Sequence, residues 1–407
     1  MTTLGAVFFS VAGIHDGFQG NFANAGVGDP DFFQFPNVLS PNPTNTGFGT
    51  QSFFTANQKD KKDPYSIQWN LSVERTLHGN TALRVSYIAN RADQLTWSPN
   101  LNQPPIVNGV PGPAPFPAWS KVRCRCAGAI SSYESMQTEL IHKYSHGLNF
   151  QSTWTWAKNL TDVESWPRSG FSGEITGDKM NLYDMHADYG NTGGTRKHRW
   201  ITTMVDELPI GKGRALLGNA SGVLNGIVGG WRLSTILLVQ SGPYDTPFIF
   251  FDSSGNGQFG GFNRPDAGGG NPNNFHHTRT QYWNANVYSC PGAPPGGGLA
   301  NNFLSCSNVI GRFGNAGVGS LVGPGTINLS LGLAKDFQLT ERFKLKFESS
   351  FTNIPNHPNF DDPRNNLTET ETLPNGNTVG TFGQVLASRV GDAGGNRVGQ
   401  FALRLEF

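Results

Sequence analysis

Apolar and polar residues alternate in a series of short runs along the chain. At its end, Phe401, Leu403, Leu405 and Phe407 alternate with Gln400, Ala402, Arg404 and Glu406, the period of two expected of a strand with one apolar and one polar face. Within 340–353, Phe343, Leu345, Phe347 and Phe351 oppose Lys344, Lys346, Glu348 and Ser350. Within 325–337, Ile327, Leu329, Leu331 and Leu333 oppose Asn328, Ser330 and Ala334. The same alternation runs through Tyr65, Ile67, Trp69, Leu71 and Val73, through Leu83, Val85 and Tyr87, through Leu148, Phe150, Trp154 and Trp156, and through Trp231, Leu233, Leu237 and Val239. Segments 130–144 and 197–208 alternate less cleanly and are read as strands from their positions. No convincing amphipathic helix stands out.

These runs match the roughly 9 to 11 residues that a tilted strand needs to cross a bilayer. Their polar faces carry Lys344, Lys346 and Glu348, which suit a water-filled lumen, so the apolar faces are expected to meet lipid. Leu345, Phe347, Leu403 and Leu405 are accordingly expected to point outward, with Leu345 near mid-bilayer. Tyr65, Tyr144, Trp156 and Phe407 fall near strand ends, where an aromatic girdle belongs. An aromatic last residue preceded by apolar residues at every second position is the pattern read by the barrel-assembly machinery. Phe401, Leu403, Leu405 and Phe407 are therefore assigned as an insertion signal, with that machinery and outer-membrane lipid as expected partners.

The connections fall into two alternating classes. Those at 77–80, 144–147 and 337–341 are tight and that at 209–229 is moderate, while 91–129, 157–196, 241–324 and 354–396 are long. A membrane barrel has short periplasmic turns and long external loops; a sandwich has no reason to place every long loop at one end. The expected fold is thus all-β, a transmembrane antiparallel barrel located in the outer membrane. Counting back from a periplasmic C-terminus gives nine strands, and Ala6–Gly13 is the candidate for a tenth, leaving 14–64 as an external loop. Two regions follow: 1–64, an incomplete first strand plus loop, and 65–407, the barrel.

Composition agrees. Of 407 residues, 52 are Gly and 26 Pro, and only 14% are charged, as expected of strands separated by long loops. A formal net charge of +1 offers no electrostatic footprint for nucleic acid. The longest apolar stretches fall short of the roughly 20 residues of a membrane-spanning helix. The start, MTTLGAVFFSVAG, has an apolar core without preceding Lys or Arg, a poor export signal, which leads to the expectation of a missing N-terminal part.

Candidate chemistry is sparse. No nucleophile–base pair, paired carboxylates or H-E-x-x-H stands out, so an enzyme is not expected, nor is a cofactor. Gly255, Gly257 and Gly260 fit G-x-G-x-x-G but follow no strand-to-helix unit and are read as loop glycines. Asp252 to Asn256 resembles a loose calcium loop without the closing carboxylate. The four cysteines fall in loop-like segments; Cys290 with Cys306 closes a short loop suited to an oxidising compartment, and Cys124 with Cys126 lacks metal-ligand spacing. The external loops carry Trp97, Trp119, Trp166, Tyr244, Tyr282 and Trp283. Such aromatics can stack on a ligand, or supply the small apolar cluster that a long loop needs to stay ordered.

The stretch TRKHRWITTMVDELPIGKGRALLGNASGVLNGIVGGWRLSTILLVQSGPYDTP, then FNRPD, then INLSLGLAKDFQLTERFKLKFESSFTNIPNHPNF and the terminal VGQFALRLEF resemble, in that order, the C-terminal barrel of Oar-like TonB-dependent receptors with a carboxypeptidase-regulatory-like domain. QWNLSVERTLHGNTALRVSYIANRADQL resembles a hairpin of the same barrel. The resemblance implies a wall of about 22 strands, a plug, and energy coupling through TonB. No plug is recognised in the chain, so TonB is expected to act only through a plug that this chain lacks. The resemblance implies uptake of a ligand; a plugless pore or a structural or adhesive surface protein is the alternative. About ten strands cut from a larger wall leave two open edges, so the strand at 397–407 is expected to pair with that at 340–353 and with nothing on its other side.

Overall fold

A computed structural model of the chain describes residues 52–97, 99–117, 121–163, 180–257, 263–390 and 394–407. Nine strands build a wall: β1 (Tyr65–Thr76), β2 (Thr81–Trp97), β3 (Lys121–Ser145), β4 (Leu148–Thr161), β5 (His198–Glu207), β6 (Trp231–Gln240), β7 (Thr326–Gln338), β8 (Lys344–Thr352) and β9 (Val398–Glu406). Each pairs antiparallel with its neighbours in sequence. This meander pairs the nine strands in chain order, so the backbone groups between neighbouring strands are satisfied within the wall.

Register decides which side chains share a face. Leu345 lies opposite Leu405 and Phe347 opposite Leu403; Leu331 lies opposite Phe351 and Phe337 opposite Leu345. Trp154 opposes Trp200, and Leu71 opposes Tyr87. All four residues expected to face outward therefore lie on one apolar side. That side carries the girdle aromatics Tyr65 and Trp156, both well exposed. Leu345 is the second residue of β8, so it lies at the periplasmic margin and not at mid-bilayer as its run suggested. Gly399 opposes Phe351 on this side, where a Cβ would come within 2.6 Å of the Phe351 ring. Its absence lets the ring lie across the ladder, edge-on to Phe401 at 5.4 Å.

The opposite side is polar and internally bonded. Arg84 donates to Glu74 at 2.7 Å and to Glu139 at 3.0 Å, and Gln151 donates to Glu139. Ser72 and Ser86 share a hydrogen bond of 2.8 Å. Farther round, Asp336 meets Lys344 at 3.2 Å and Arg232 at 3.4 Å, and Lys346 meets Glu348 at 3.0 Å. Charges of alternating sign thus line the lumen towards the end where the tight turns lie.

Turn chemistry explains that end. His146 and Gly147 have φ of 51° and 92°, the conformation of a two-residue hairpin loop whose twist matches its strands. Glu207 donates its amide to the Gly147 carbonyl, which places the β5–β6 connection on the same side. That connection contains a short helix, α1 (Gly222–Val228), which the sequence pattern did not anticipate.

Two further differences concern the outer end. β3 has 25 residues, roughly 80 Å at about 3.3 Å each, far beyond what a bilayer requires. Cys124 and Cys126 therefore lie within a strand and not in a loop, bonded to each other. Trp97, expected in an external loop, ends β2 and pairs with Cys126. The strand Ser52–Asn57 adds to β3 in parallel, an element not expected before Tyr65. Among the described residues β9 pairs only with β8, and β1 only with β2, as expected of an open wall. The candidate strand Ala6–Gly13 lies outside the described residues.

Leu331, midway along β7 on the apolar side, discriminates the two faces. Leu331→Arg is expected to cost about 2–4 kcal/mol, while Ser330→Arg on the lumen side costs little. Refolding into phospholipid vesicles under a urea titration measures both, and equal costs would mean the faces are reversed.

Candidate functional site

The described parts of the four long connections, 98–120, 162–197, 241–325 and 353–397, converge beyond the outer end of the wall. The two largest share one hydrophobic core: Ile249, Trp283, Val287, Tyr288, Leu304 and Leu321 from one pack with Leu367 and Phe382 from the other. The disulfide Cys290–Cys306 ties the first loop to itself, as its spacing suggested. Backbone bonds join the two, as from the Leu304 amide to the Leu367 carbonyl at 2.6 Å. A third loop is fastened by Arg264, whose guanidinium is buried, donates to the Ala187 carbonyl at 2.5 Å and meets Asp188 at 3.3 Å. Burial pushes that guanidinium below its ordinary value, with Asp188 opposing the shift. The first loop closes the group at Gly109, whose carbonyl would strike any side chain at Gly311.

This core settles the role of one predicted aromatic. Trp283 is 0% exposed, donates its indole N–H to the Val322 carbonyl at 2.8 Å and lies 5.7 Å from Phe382. Trp283 is thus an anchor of the loop core with no free face for a ligand. Trp97 is also buried. Tyr282 stacks on His277 at 4.6 Å and is half-buried. Trp119 and Trp166 lie outside the described residues.

Tyr244 differs. It borders a cavity of about 880 Å³ between the lumen face and the loops. Ser131, Asn159 and Thr161 form its floor, on the same strand faces as Glu139 and Gln151. Asp245, Asp361, Asp362 and Arg364 come from the loops. The polar groups are held in place: Arg389 donates to Asp362 at 2.7 Å, Arg364 to Glu369 at 2.7 Å, and the Asn365 amide to Asp245 at 2.6 Å. Burial pushes the Tyr244 hydroxyl upward, so it remains a neutral donor. Donors and acceptors therefore converge without a nucleophile–base pair, an arrangement suited to holding a polar solute. Apart from Tyr244, sequence reading missed these residues because the lining comes from seven separate stretches of the chain.

The loose calcium motif has a structural explanation. One Asp252 oxygen accepts from Ser254 and Gly255 amides and the Ser254 hydroxyl, and the other accepts from the Gly257 amide at 2.8 Å. The carboxylate is spent on its own turn.

A family model described as outer membrane beta barrel domain matches residues 13–400. The chain belongs to this family. The barrel is accordingly a component of the cell outer membrane, and its apolar side faces lipid. No curated protein matches the chain. Among solved structures the barrel is similar to the outer membrane transporter YddB from Escherichia coli, with 9% identity and a TM-score of 0.43 over 87% of this chain and 34% of the transporter. It is also similar to the NanC porin, with 8% identity and a TM-score of 0.15 over 84% of this chain and 96% of the porin. The chain spans about a third of the transporter's length.

Core and cavity residues are expected to respond differently to truncation. Trp283→Ala should destabilise the loop core by about 3–5 kcal/mol, read as faster proteolysis of the loops at unchanged barrel integrity, whereas Tyr244→Ala should leave proteolysis unchanged. Acid provides a second handle. Burial raises the Asp266 carboxyl, but the Arg312 guanidinium and the amides of Gly292 and Asn315 together hold it below the usual range. A depressed folded-state pKa contributes stability above the unfolded value of about 4 that is lost as pH falls through the folded value. Loop protection is therefore expected to fade below about pH 4, and Asp266→Asn should remove that part of the pH dependence.

Proposed function

We propose that this barrel is the ligand-capturing wall of a TonB-dependent outer-membrane receptor that imports a polar solute. The observation that carries the reading is the loop cap: the described parts of the four long connections pack into a disulfide-tied body over the outer end of a charged lumen, with a half-open cavity of mixed polar and apolar lining between. A pore for free diffusion gains nothing from a packed loop cap over its mouth; a receptor needs a recess such as this one of about 880 Å³ to hold its ligand before transport. The ordered sequence stretches resembling Oar-like receptors support energy coupling through TonB by way of a plug. The charged lumen face, with Arg84, Asp336 and Lys346 in bonded sets, suits a surface against which a polar plug is held and released.

The runner-up is a plugless pore. The protein extracted from outer membranes and reconstituted into planar lipid bilayers in potassium chloride separates the two. A receptor is expected to show no steady conductance and to yield a TonB adduct on cross-linking in intact cells. Stable ohmic channels together with no TonB adduct would sink the receptor reading.

A further inference from the structure

At the end opposite the loop cap, the β5–β6 connection presents large aliphatic side chains to the outside. In α1, Val223, Leu224 and Ile227 are 81%, 52% and 60% exposed. Their spacing sets them on one side of the helix. Asn225 points the other way, where its side-chain oxygen accepts the Lys212 amide at 2.7 Å. Gly211 lies so close to Gly229 that a Cβ would come within 2.7 Å of the Gly229 Cα. Just before the helix, Leu216 and Leu217 are each 57% exposed. A compact, internally bonded segment thus offers five aliphatic side chains, each disfavoured in water by about 25 cal/mol per Å² left uncovered.

The attachment of the helix shows where this surface lies. Lys335 donates to the Gly226 carbonyl at 2.6 Å and to the Ile227 carbonyl at 2.9 Å, and the Trp231 indole donates to the Ile227 carbonyl at 2.9 Å. The ammonium also lies 5.2 Å from the Trp231 ring and 4.9 Å from the Phe337 ring. Register places Trp231 opposite Lys335, on the side shared by Leu233, Leu333 and Phe337. Lys335 is therefore a cation on the lipid-facing side, and it is only 3% exposed because the end of α1 covers it. A cation at a helix C-terminus is electrostatically favoured. Its effect is to pin α1 to the outside of the wall at the periplasmic margin.

We propose that Leu216 to Val228 is an interfacial anchor, with Val223, Leu224 and Ile227 seated among acyl chains beneath the headgroups of the periplasmic leaflet. The occupant is lipid because the helix is attached to the lipid-facing side and its exposed stripe continues that apolar surface. The adjoining Lys212 is exposed and suits the phosphate groups of that leaflet, while Arg214 pairs with Glu207 at 3.1 Å. The anchor fixes the height of the wall in the bilayer on the side where the strands end in short turns.

The test uses Val223→Cys in the full protein, labelled with an environment-sensitive thiol fluorophore; all four native cysteines are in disulfides and leave one reactive thiol. In vesicles of phosphatidylethanolamine and phosphatidylglycerol, lipids carrying a nitroxide high on the acyl chain are expected to quench the label several-fold more than iodide present on both sides. The same label at Asn375, on an exposed external hairpin, is expected to show the reverse. Lys335→Met should shift the Val223 label towards iodide quenching, with heat-modifiable gel migration confirming a folded barrel. Iodide quenching at Val223 equal to that at Asn375 would place the helix in water and overturn the proposal. Protection from both quenchers would mean that a protein surface covers it, which overturns the proposal equally.

Discussion

In a bilayer, no water is available to a stray backbone amide or carbonyl, so each must find its partner in the chain. The wall depends on this. Because the nine strands of the wall pair in chain order, the constraint is met between neighbours, by a register set locally at tight hairpins such as that of His146 and Gly147, and among the described residues it is left open at the outer edges of β1 and β9. Once register is set, parity determines which residues meet lipid and which meet the lumen. Arg84 then lies between Glu74 and Glu139, and Leu403 beside Phe347.

That dependence explains why so much of the fold was legible in the sequence. A period of two is a direct record of which face a residue occupies, and Phe401, Leu403 and Leu405 or Leu329, Leu331 and Leu333 display it without interference. The order of short and long connections likewise records which end of each strand carries the external loops. Legibility failed where a strand outruns the bilayer or a second surface competes with lipid. β3 runs far past the membrane, and its outer part keeps the alternation, Val122, Cys124 and Cys126 against Lys121, Arg123 and Arg125, but reads as loop because it lies beyond the length a bilayer requires and follows a Pro-rich stretch. Lys335 is polar on an apolar face because α1 covers it, and α1 itself has too few residues to show a helical period.

The candidate site was the least legible part, for a related reason. Trp283 and Tyr244 look equivalent in the sequence, as aromatics in one long polar loop. Only the packing of Phe382 and Leu367 from a different loop makes the first a core residue and leaves the second beside the cavity. The floor of that cavity consists of Ser131, Asn159 and Thr161, ordinary lumen-side residues until the loops are placed above them. Residues contributed by several distant segments carry no spacing signature, so no motif was there to be found.

The shared core of the two largest loops has a consequence for how this barrel diversifies. In a barrel whose loops fold independently, one loop can drift or be exchanged while the rest stays constant. Here Phe382 fits against Trp283 and Tyr288, and Leu304 is bonded to Leu367, so the two loops form one heritable unit. Specificity is then expected to change by substitutions on the chamber's inner surface, with the packed layer behind it held fixed. A graft that moves either loop alone into a related wall would bring half a core with it.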